Sequence, residues 1–263
     1  MTRRLMSMTC ALLLCLASLI SNACTQTNQE EVAQMRREID ELKANQQQIL
    51  EQLKELRGDD PFKGVTPARP QLPFDMSLNP NTQEAKGSKG ARVAIIEFSD
   101  FQCSFCLSYV KQTLPQLDKD YIKTGKVRYF FRNLPLTSGH PNAFRAAEAA
   151  HCAAEQGKFW EAHDRFFDHQ DQLNTDDWPG HAEALKLDKE KFDQCLTSGK
   201  YDEEINGDMD AAQKLGIMGT PAFLIGVVAP DGTKVNVRQI MMGAESYDSF
   251  KKSLDELLAA KGK

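Results

Sequence analysis

Two cysteines lie two residues apart, Cys103 and Cys106, at the end of the segment 98–106 (FSDFQCSFC). A pair at this spacing can cycle between a dithiol and a disulfide, and can thereby exchange disulfide bonds with another protein. The attacking species in that chemistry is a thiolate, so one of the two sulfurs needs surroundings that favour negative charge. The pattern therefore predicts a thiol–disulfide exchange site.

The elements around the pair indicate which sulfur is the nucleophile. The apolar run 93–96 predicts a buried β-strand, because it is short, rich in β-branched residues and preceded by Gly90. Residues 107–118 fit a helix, so the cysteines fall in a turn from strand to helix. The unpaired N–H groups and the dipole at a helix start stabilise an anion. We therefore expect Cys103 to be a low-pKa thiolate and Cys106, one turn further in, to be the resolving thiol.

Other uses of the same pair are less well supported by the sequence. A structural zinc site needs two more ligands at similar spacing, but the chain has no second Cys-X-X-Cys and its five histidines are scattered. We therefore predict no metal site. A purely structural disulfide across two residues would gain little from loop closure. A copper-handling Cys-X-X-Cys protein on an oligomeric stalk stays open as the alternative function, as does a lipid-anchored structural protein.

Residues 1–23 are organised like an export signal. Two arginines precede the apolar run 5–20, and small residues lie at the predicted cleavage site after Ala23. Cys24 would then be the first mature residue, and it is a candidate for lipidation in the bacterial manner. Cleavage after Ala23 without lipidation fits the sequence equally well, because Ser21 stands where lipidation sites usually have an aliphatic residue. Either route predicts a protein of the bacterial periplasm, or one anchored to a membrane and facing it, where disulfides persist.

Residues 24–57 are predicted to be a coiled-coil helix that makes the protein a homo-oligomer through residues 30–57. Apolar residues recur there at alternating three- and four-residue spacing, without Gly or Pro. These seam residues are Val32, Met35, Ile39, Leu42, Ile49, Leu53 and Leu56. A lone solvated helix is the alternative, and the choice between dimer and higher oligomer stays open.

The remaining chain divides into a linker and one domain. Residues 58–90 are rich in Pro and Gly and predict a semi-extended linker. In residues 91–263 the patterns predict β–α–β, a helical block at about 134–215, and then β–β–α. That order is an α/β thioredoxin fold with an inserted helical subdomain. The formal net charge of −5 gives no reason to expect a nucleic-acid partner.

Four segments resemble the DsbA-like branch of the thioredoxin superfamily, especially its BdbD-like members. They are 97–106, 132–136 (RNLPL), 155–160 (EQGKFW) and 219–223 (GTPAF). The resemblance covers about residues 74–263. It implies a cofactor-free disulfide oxidoreductase that acts on cysteine-containing exported proteins and is reoxidised or reduced by a membrane redox partner. The N-terminal helix is similar in role to the stalks of oligomeric disulfide isomerases, so we expect some isomerase activity as well.

The resemblance also implies roles for single residues. Cys103 and Cys106 carry the exchange through a mixed disulfide. Pro221 would be a cis-proline facing the active site, and Thr220 would offer its backbone to the substrate peptide. Glu97 occupies the position of a buried acid that relays protons to or from Cys106. Without the resemblance, Glu97 is an ordinary acid at a strand end, and Pro221 belongs to an ordinary turn.

Two further features bear on the redox chemistry. The dipeptide Ser104-Phe105 lacks the imidazole of the Pro-His sequence in the strongest oxidants of the family, so we expect a weaker oxidant. Cys152 and Cys195 fall in the helical block, where members of this branch often carry a cysteine pair. We expect a structural disulfide between them. Two buried free thiols are the alternative.

Overall fold

The structure is a computed structural model that describes residues 34–48, 71–79, 82, 84–174 and 177–260. The chain forms two compact units, Met1–Val65 and Thr66–Lys263. In the first unit, residues 34–48 form helix α1, and all of its side chains are exposed. Among the helices described here, none is both long and apolar enough to cross a membrane.

The second unit is built on a six-stranded mixed sheet. The strands are β1 (Phe74–Ser77), β2 (Ala85–Lys86), β3 (Val93–Ser99), β4 (Val127–Asn133), β5 (Ala222–Val228) and β6 (Lys234–Met242). Their spatial order is β1-β6-β5-β3-β4-β2. Strand β3 pairs parallel with β4 and antiparallel with β5. It is buried along its whole length, which explains why its sequence is an apolar run rather than an alternation.

Helices cover both faces of this sheet. They are α2 (Ser104–Gln112), α3 (Leu114–Leu117), α4 (Ala143–Ala154), α5 (Phe159–Asp168), α6 (Trp178–Ala184), α7 (Lys189–Ser198), α8 (Asp202–Lys214) and α9 (Tyr247–Ala259). Successive side chains of a strand point to opposite faces. Val93 and Ile95 therefore join a large core with α2 and α9, whereas Ala94 and Ile96 join a smaller core with Ala212 of α8.

The five helices α4 to α8 lie between β4 and β5 and form the inserted subdomain. A disulfide between Cys152 of α4 and Cys195 of α7 joins two of its helices, with 5.7 Å between the Cα atoms. The predicted thioredoxin fold with a helical insertion is confirmed by this order of strands and helices.

The predicted linker boundary needs correction, because two strands of the sheet lie inside residues 58–90. Phe74 of β1 pairs opposite Val237 of β6, and Ala85 of β2 pairs opposite Phe130 of β4. The packed domain therefore begins well before residue 91. These strands have four and two residues, which is too short for a recognisable alternation, so long-range pairing alone defines them.

Candidate active site

Strand β3 and helix α2 hold the two cysteines. Cys103 is the N-cap of α2, with extended backbone angles of φ −75° and ψ 121°. Its sulfur accepts a hydrogen bond from the backbone N–H of Cys106 at 3.4 Å. Both thiols are free and buried, with Cys103 4% exposed and Cys106 fully enclosed. A sulfur at a helix N-cap can take the place of the oxygen that usually caps the free N–H groups.

The turn before the helix is held by Asp100, for which no sequence motif predicted a role. Its Oδ1 accepts a hydrogen bond from the backbone N–H of Gln102 at 2.7 Å. Its Oδ2 accepts from the backbone N–H of Leu136 at 2.7 Å and lies 2.8 Å from His140 Nδ1. Asp100 thus ties the cysteine turn to the loop between β4 and α4. A buried aspartate with this many donors keeps the turn in one conformation.

The loop before β5 lies against the first cysteine. The Thr220–Pro221 peptide bond is cis. The sulfur of Cys103 lies 3.4 Å from the Thr220 carbonyl oxygen, to which its protonated form donates. In the sequence, Thr220 follows Cys103 by 117 residues and Pro221 follows it by 118. The sheet brings all three to the same site.

The pKa values of the two cysteines are shifted in opposite directions. The pKa of Cys103 is lowered from 9.0 to about 5, mainly because the Cys106 thiol donates to its sulfur, with help from backbone N–H groups of Phe105 and Cys106. Burial raises the pKa of Cys106 well above its ordinary value, and the nearby charges of Cys103 and Glu97 raise it further. Cys103 is therefore the thiolate at neutral pH, whereas Cys106 keeps its proton.

Glu97 lies on β3 on the face toward α2 and is fully buried. Burial raises the pKa of Glu97 from 4.5 to about 7, although the hydrogen bond from Tyr129 and the nearby Ser99 hydroxyl oppose that rise. A carboxyl group that titrates near neutral pH can both give and take a proton there. The structure thus brings a suitable acid–base group into electrostatic contact with both cysteines.

Comparisons with known proteins decide the family. The thioredoxin sequence profile matches residues 79–256. The probable disulfide bond formation protein D of Bacillus anthracis is 30% identical over 186 residues, which is 68% of this chain and 79% of that protein. The chain belongs to the DsbA-like branch of the thioredoxin family.

Solved structures of DsbA-like proteins have the same fold. Wolbachia pipientis alpha-DsbA1 superposes with a TM-score of 0.58 at 25% identity, over 70% of this chain and 94% of that one. Bacillus subtilis BdbD superposes with a TM-score of 0.59 at 22% identity, over 71% and 98%. The Na(+)/H(+) antiporter NhaA 3 of Salinispora tropica is 40% identical over 148 residues. The chain spans only 22% of that antiporter's length.

Exposed apolar side chains form a feature of this DsbA-like site that the sequence did not reveal. Phe105 is 66% exposed, Met218 is 72% exposed and Met242 is 37% exposed. Phe105 lies between the cysteines and Met218 precedes the cis bond, while Met242 pairs opposite Ala222 on the neighbouring strand. Within residues 71–260 as described, Leu72 is the one other large apolar side chain with such exposure. Three of these four exposed side chains therefore belong to the cysteine turn or to segments next to the Thr220–Pro221 bond.

The other predicted sites lie elsewhere or outside the described chain. The disulfide Cys152–Cys195 belongs to the helical subdomain and not to the Cys103 site. The predicted lipidation site, Cys24, lies outside the described residues. In the part of the chain that the structure describes, no cluster of three or more His, Cys, Asp or Glu side chains is arranged to hold a metal ion. The relatives named as disulfide bond formation proteins do not favour the copper-handling alternative.

Proposed function

We propose that this chain catalyses thiol–disulfide exchange on cysteine-containing proteins, with Cys103 as the reacting sulfur. One observation carries the proposal: Cys103 caps helix α2 with a pKa lowered to about 5 by donation from the Cys106 thiol. A low-pKa thiolate is both present at neutral pH and a good leaving group. Those two properties are what rapid exchange in either direction requires.

In the oxidising direction the enzyme begins with a Cys103–Cys106 disulfide. A substrate thiolate attacks the Cys103 sulfur, so that a substrate–Cys103 bond forms and the Cys103–Cys106 bond breaks. The Cys106 thiolate that leaves is buried, and it takes the proton of the Glu97 carboxyl. A second substrate thiolate then attacks the substrate sulfur of the mixed disulfide, and Cys103 leaves as a thiolate. The substrate has lost two electrons and gained a disulfide, and the enzyme is now a dithiol.

Substrate binding is proposed at the surface around Cys103. The backbone of Thr220 is close enough to the sulfur to hold an extended peptide beside it, with Pro221 shaping the loop. The exposed side chains of Phe105, Met218 and Met242 offer apolar contact. Such a surface suits unfolded polypeptides, because their apolar side chains are accessible.

The experiment that tests this proposal is oxidation of a peptide with two cysteines. Cys103→Ser is expected to abolish catalysis, because serine neither ionises near neutral pH nor forms a disulfide. The matched control is the Cys152→Ser/Cys195→Ser double variant, which removes the other cysteine pair and is expected to retain catalysis. Undiminished oxidation by Cys103→Ser would refute the assignment.

We further propose that the protein is exported and works in the periplasm. The export signal at 1–23 supports this location, as does the Cys152–Cys195 disulfide, since such bonds persist in oxidising compartments. The dithiol left after each turnover needs a membrane redox partner to restore it. Lipidation at Cys24 would anchor the protein, and metabolic labelling with palmitate tests it. Label that survives Cys24→Ala would exclude this anchor.

The exposed helix α1 supports a homo-oligomer. Three predicted seam residues lie on it: Met35 is 54% exposed, Ile39 is 49% exposed and Leu42 is 67% exposed. Their four- and three-residue spacing places them on one side of the helix, as a coiled coil requires. Two catalytic domains on one stalk would hold a misfolded substrate at high effective concentration, which favours isomerisation.

Deletion of residues 30–57 tests the role of the stalk. We expect monomers by light scattering, with peptide oxidation retained and reshuffling of scrambled ribonuclease lost. Ile39→Glu/Leu42→Glu should have the same effect, because it charges the seam. The control Asp40→Asn/Glu41→Gln changes the same helix on the side away from the seam and should leave the oligomer intact. A monomeric full-length protein, or a truncated one that reshuffles equally well, would contradict the proposal.

A further inference from the structure

Tyr129 holds the buried Glu97 carboxyl by one of its two oxygens. The Tyr129 hydroxyl donates a hydrogen bond to Glu97 Oε2. The second oxygen, Oε1, makes no hydrogen bond to any residue that the structure describes. Both side chains are completely buried. The carboxyl is thus fixed in place while one oxygen stays available for another partner.

The pairing of β3 with β4 brings this tyrosine to the acid. The two strands are parallel, with Ile95 opposite Tyr129 and Glu97 opposite Phe131. Tyr129 and Glu97 belong to the same face of the sheet, so the long tyrosine side chain reaches diagonally to the carboxyl. The tyrosine ring packs near Trp160, with 6.1 Å between ring centroids. Packing of the ring therefore aims its hydroxyl independently of the hydrogen bond.

We propose that Tyr129 is a positioning residue for the proton transfer between Glu97 and Cys106. The inference rests on the relay role proposed above for Glu97. With Oε2 occupied by the tyrosine, Oε1 is the oxygen that gives a proton to the departing Cys106 sulfur and takes it back on the return step. Donation to a carboxylate favours its ionised form, so Tyr129 also keeps Glu97 a competent base near neutral pH.

Few titratable groups act on Glu97 besides Tyr129, so the effect of Tyr129 on the Glu97 pKa can be measured separately from theirs. From α2 the titratable groups are Cys103, Cys106 and Tyr109. From β3 the Ser99 hydroxyl acts on the carboxyl, and it does not titrate in this range. From β5 the residue opposite Glu97 is the uncharged Phe223. No positively charged side chain among the described residues contributes to the shift of the Glu97 pKa.

The test uses the full-length protein carrying a mixed disulfide between Cys103 and thionitrobenzoate. Attack by Cys106 on the Cys103 sulfur closes the enzyme disulfide and releases the coloured thiol, so absorbance follows the step that needs Cys106 deprotonated. In wild type the release rate should rise with pH through the pKa of Glu97, about 7. In Tyr129→Phe the half-maximal pH should rise by about one to two pH units, the effect of one hydrogen bond to a charged group.

Tyr121→Phe is the matched control. Tyr121 is also buried, and its hydroxyl donates to the Asp255 carboxylate at 2.7 Å, away from the cysteines. This variant should show the wild-type pH profile. Site-specific 3-fluorotyrosine at position 129 keeps the hydroxyl and makes it a stronger donor, and should move the half-maximal pH downward. That second substitution decides the question even if Tyr129→Phe does not fold.

The outcomes separate this proposal from the function on which it rests. If Cys106→Ser releases the thiol as fast as wild type, the exchange function fails. If Glu97→Gln leaves the pH profile unchanged, the relay fails. If Glu97→Gln removes the pH dependence but both changes at Tyr129 leave the profile unmoved, the positioning role alone is overturned. A shift caused by Tyr129→Phe in the Glu97→Gln background would overturn it as well, because the tyrosine would then act elsewhere.

Discussion

The lowered pKa of Cys103 predicts how the stability of the reduced protein depends on pH. An acid whose pKa falls on folding stabilises the fold above its unfolded pKa, and that stability is lost as the pH falls through the folded pKa. For Cys103 the change is from 9.0 to about 5. At about 1.36 kcal/mol per pH unit, the contribution reaches at most about 5 kcal/mol above pH 9 and about 3 kcal/mol at pH 7.

The perturbation that isolates this contribution is Cys103→Ser, because serine cannot ionise in this range. Reduced wild type and reduced variant are unfolded with guanidinium chloride at pH 5 and pH 7. The difference in their free energies of unfolding should grow by about 2 kcal/mol between those two pH values. Glu97 has a raised pKa and acts in the opposite direction, but both proteins contain it, so its effect largely cancels.

A difference that is the same at pH 5 and pH 7 would refute the reasoning. The oxidised wild type is a further control, since it has no Cys103 thiolate. The same reductant opens Cys152–Cys195 in both reduced proteins, so its loss also cancels.

Three other predictions follow from the site and its surroundings. Pro221→Ala should raise the KM for a peptide substrate while the domain stays folded, which peptide oxidation and circular dichroism together would show. Phe105→Ser/Met218→Ser should raise the KM for unfolded protein substrates but leave oxidation of a small dithiol unchanged, and equal losses for both substrates would contradict the binding surface. Cys152→Ser/Cys195→Ser should lower the free energy of unfolding by up to about 4 kcal/mol, the loop-closure value for this 43-residue separation, in chemical denaturation.

Local sequence patterns predicted the centre of the fold. Strand β3 could be recognised because a strand that is buried on both faces is a continuous apolar run. The helix after it could be recognised because its apolar residues recur with the helical period of about 3.6 residues. Strand β1 could not be recognised from the sequence, because residues 74–77 form a strand by pairing with Lys234–Val237, far along the chain. A four-residue strand beside prolines looks like linker until its partner is known.

The site was predictable only where a motif marked it. Cys103, Cys106 and Glu97 lie within ten residues of one another and share one motif, so sequence could place them together. Tyr129 belongs to another strand, and only the parallel register brings its hydroxyl to Glu97. Met242 reaches the neighbourhood of Pro221 through the pairing of β5 with β6. Such residues carry no local signal, because their function arises from tertiary contact.

Trapping of mixed disulfides tests the central claim most directly. Cys106→Ser, reduced and mixed with scrambled ribonuclease, leaves the Cys103 thiolate able to attack a substrate disulfide but removes the thiol that resolves the product. We predict covalent enzyme–substrate adducts on a non-reducing gel, with mass mapping to Cys103, and no adducts with Cys103→Ser. Adducts in equal yield from both variants, or linkage through any other cysteine, would contradict the account.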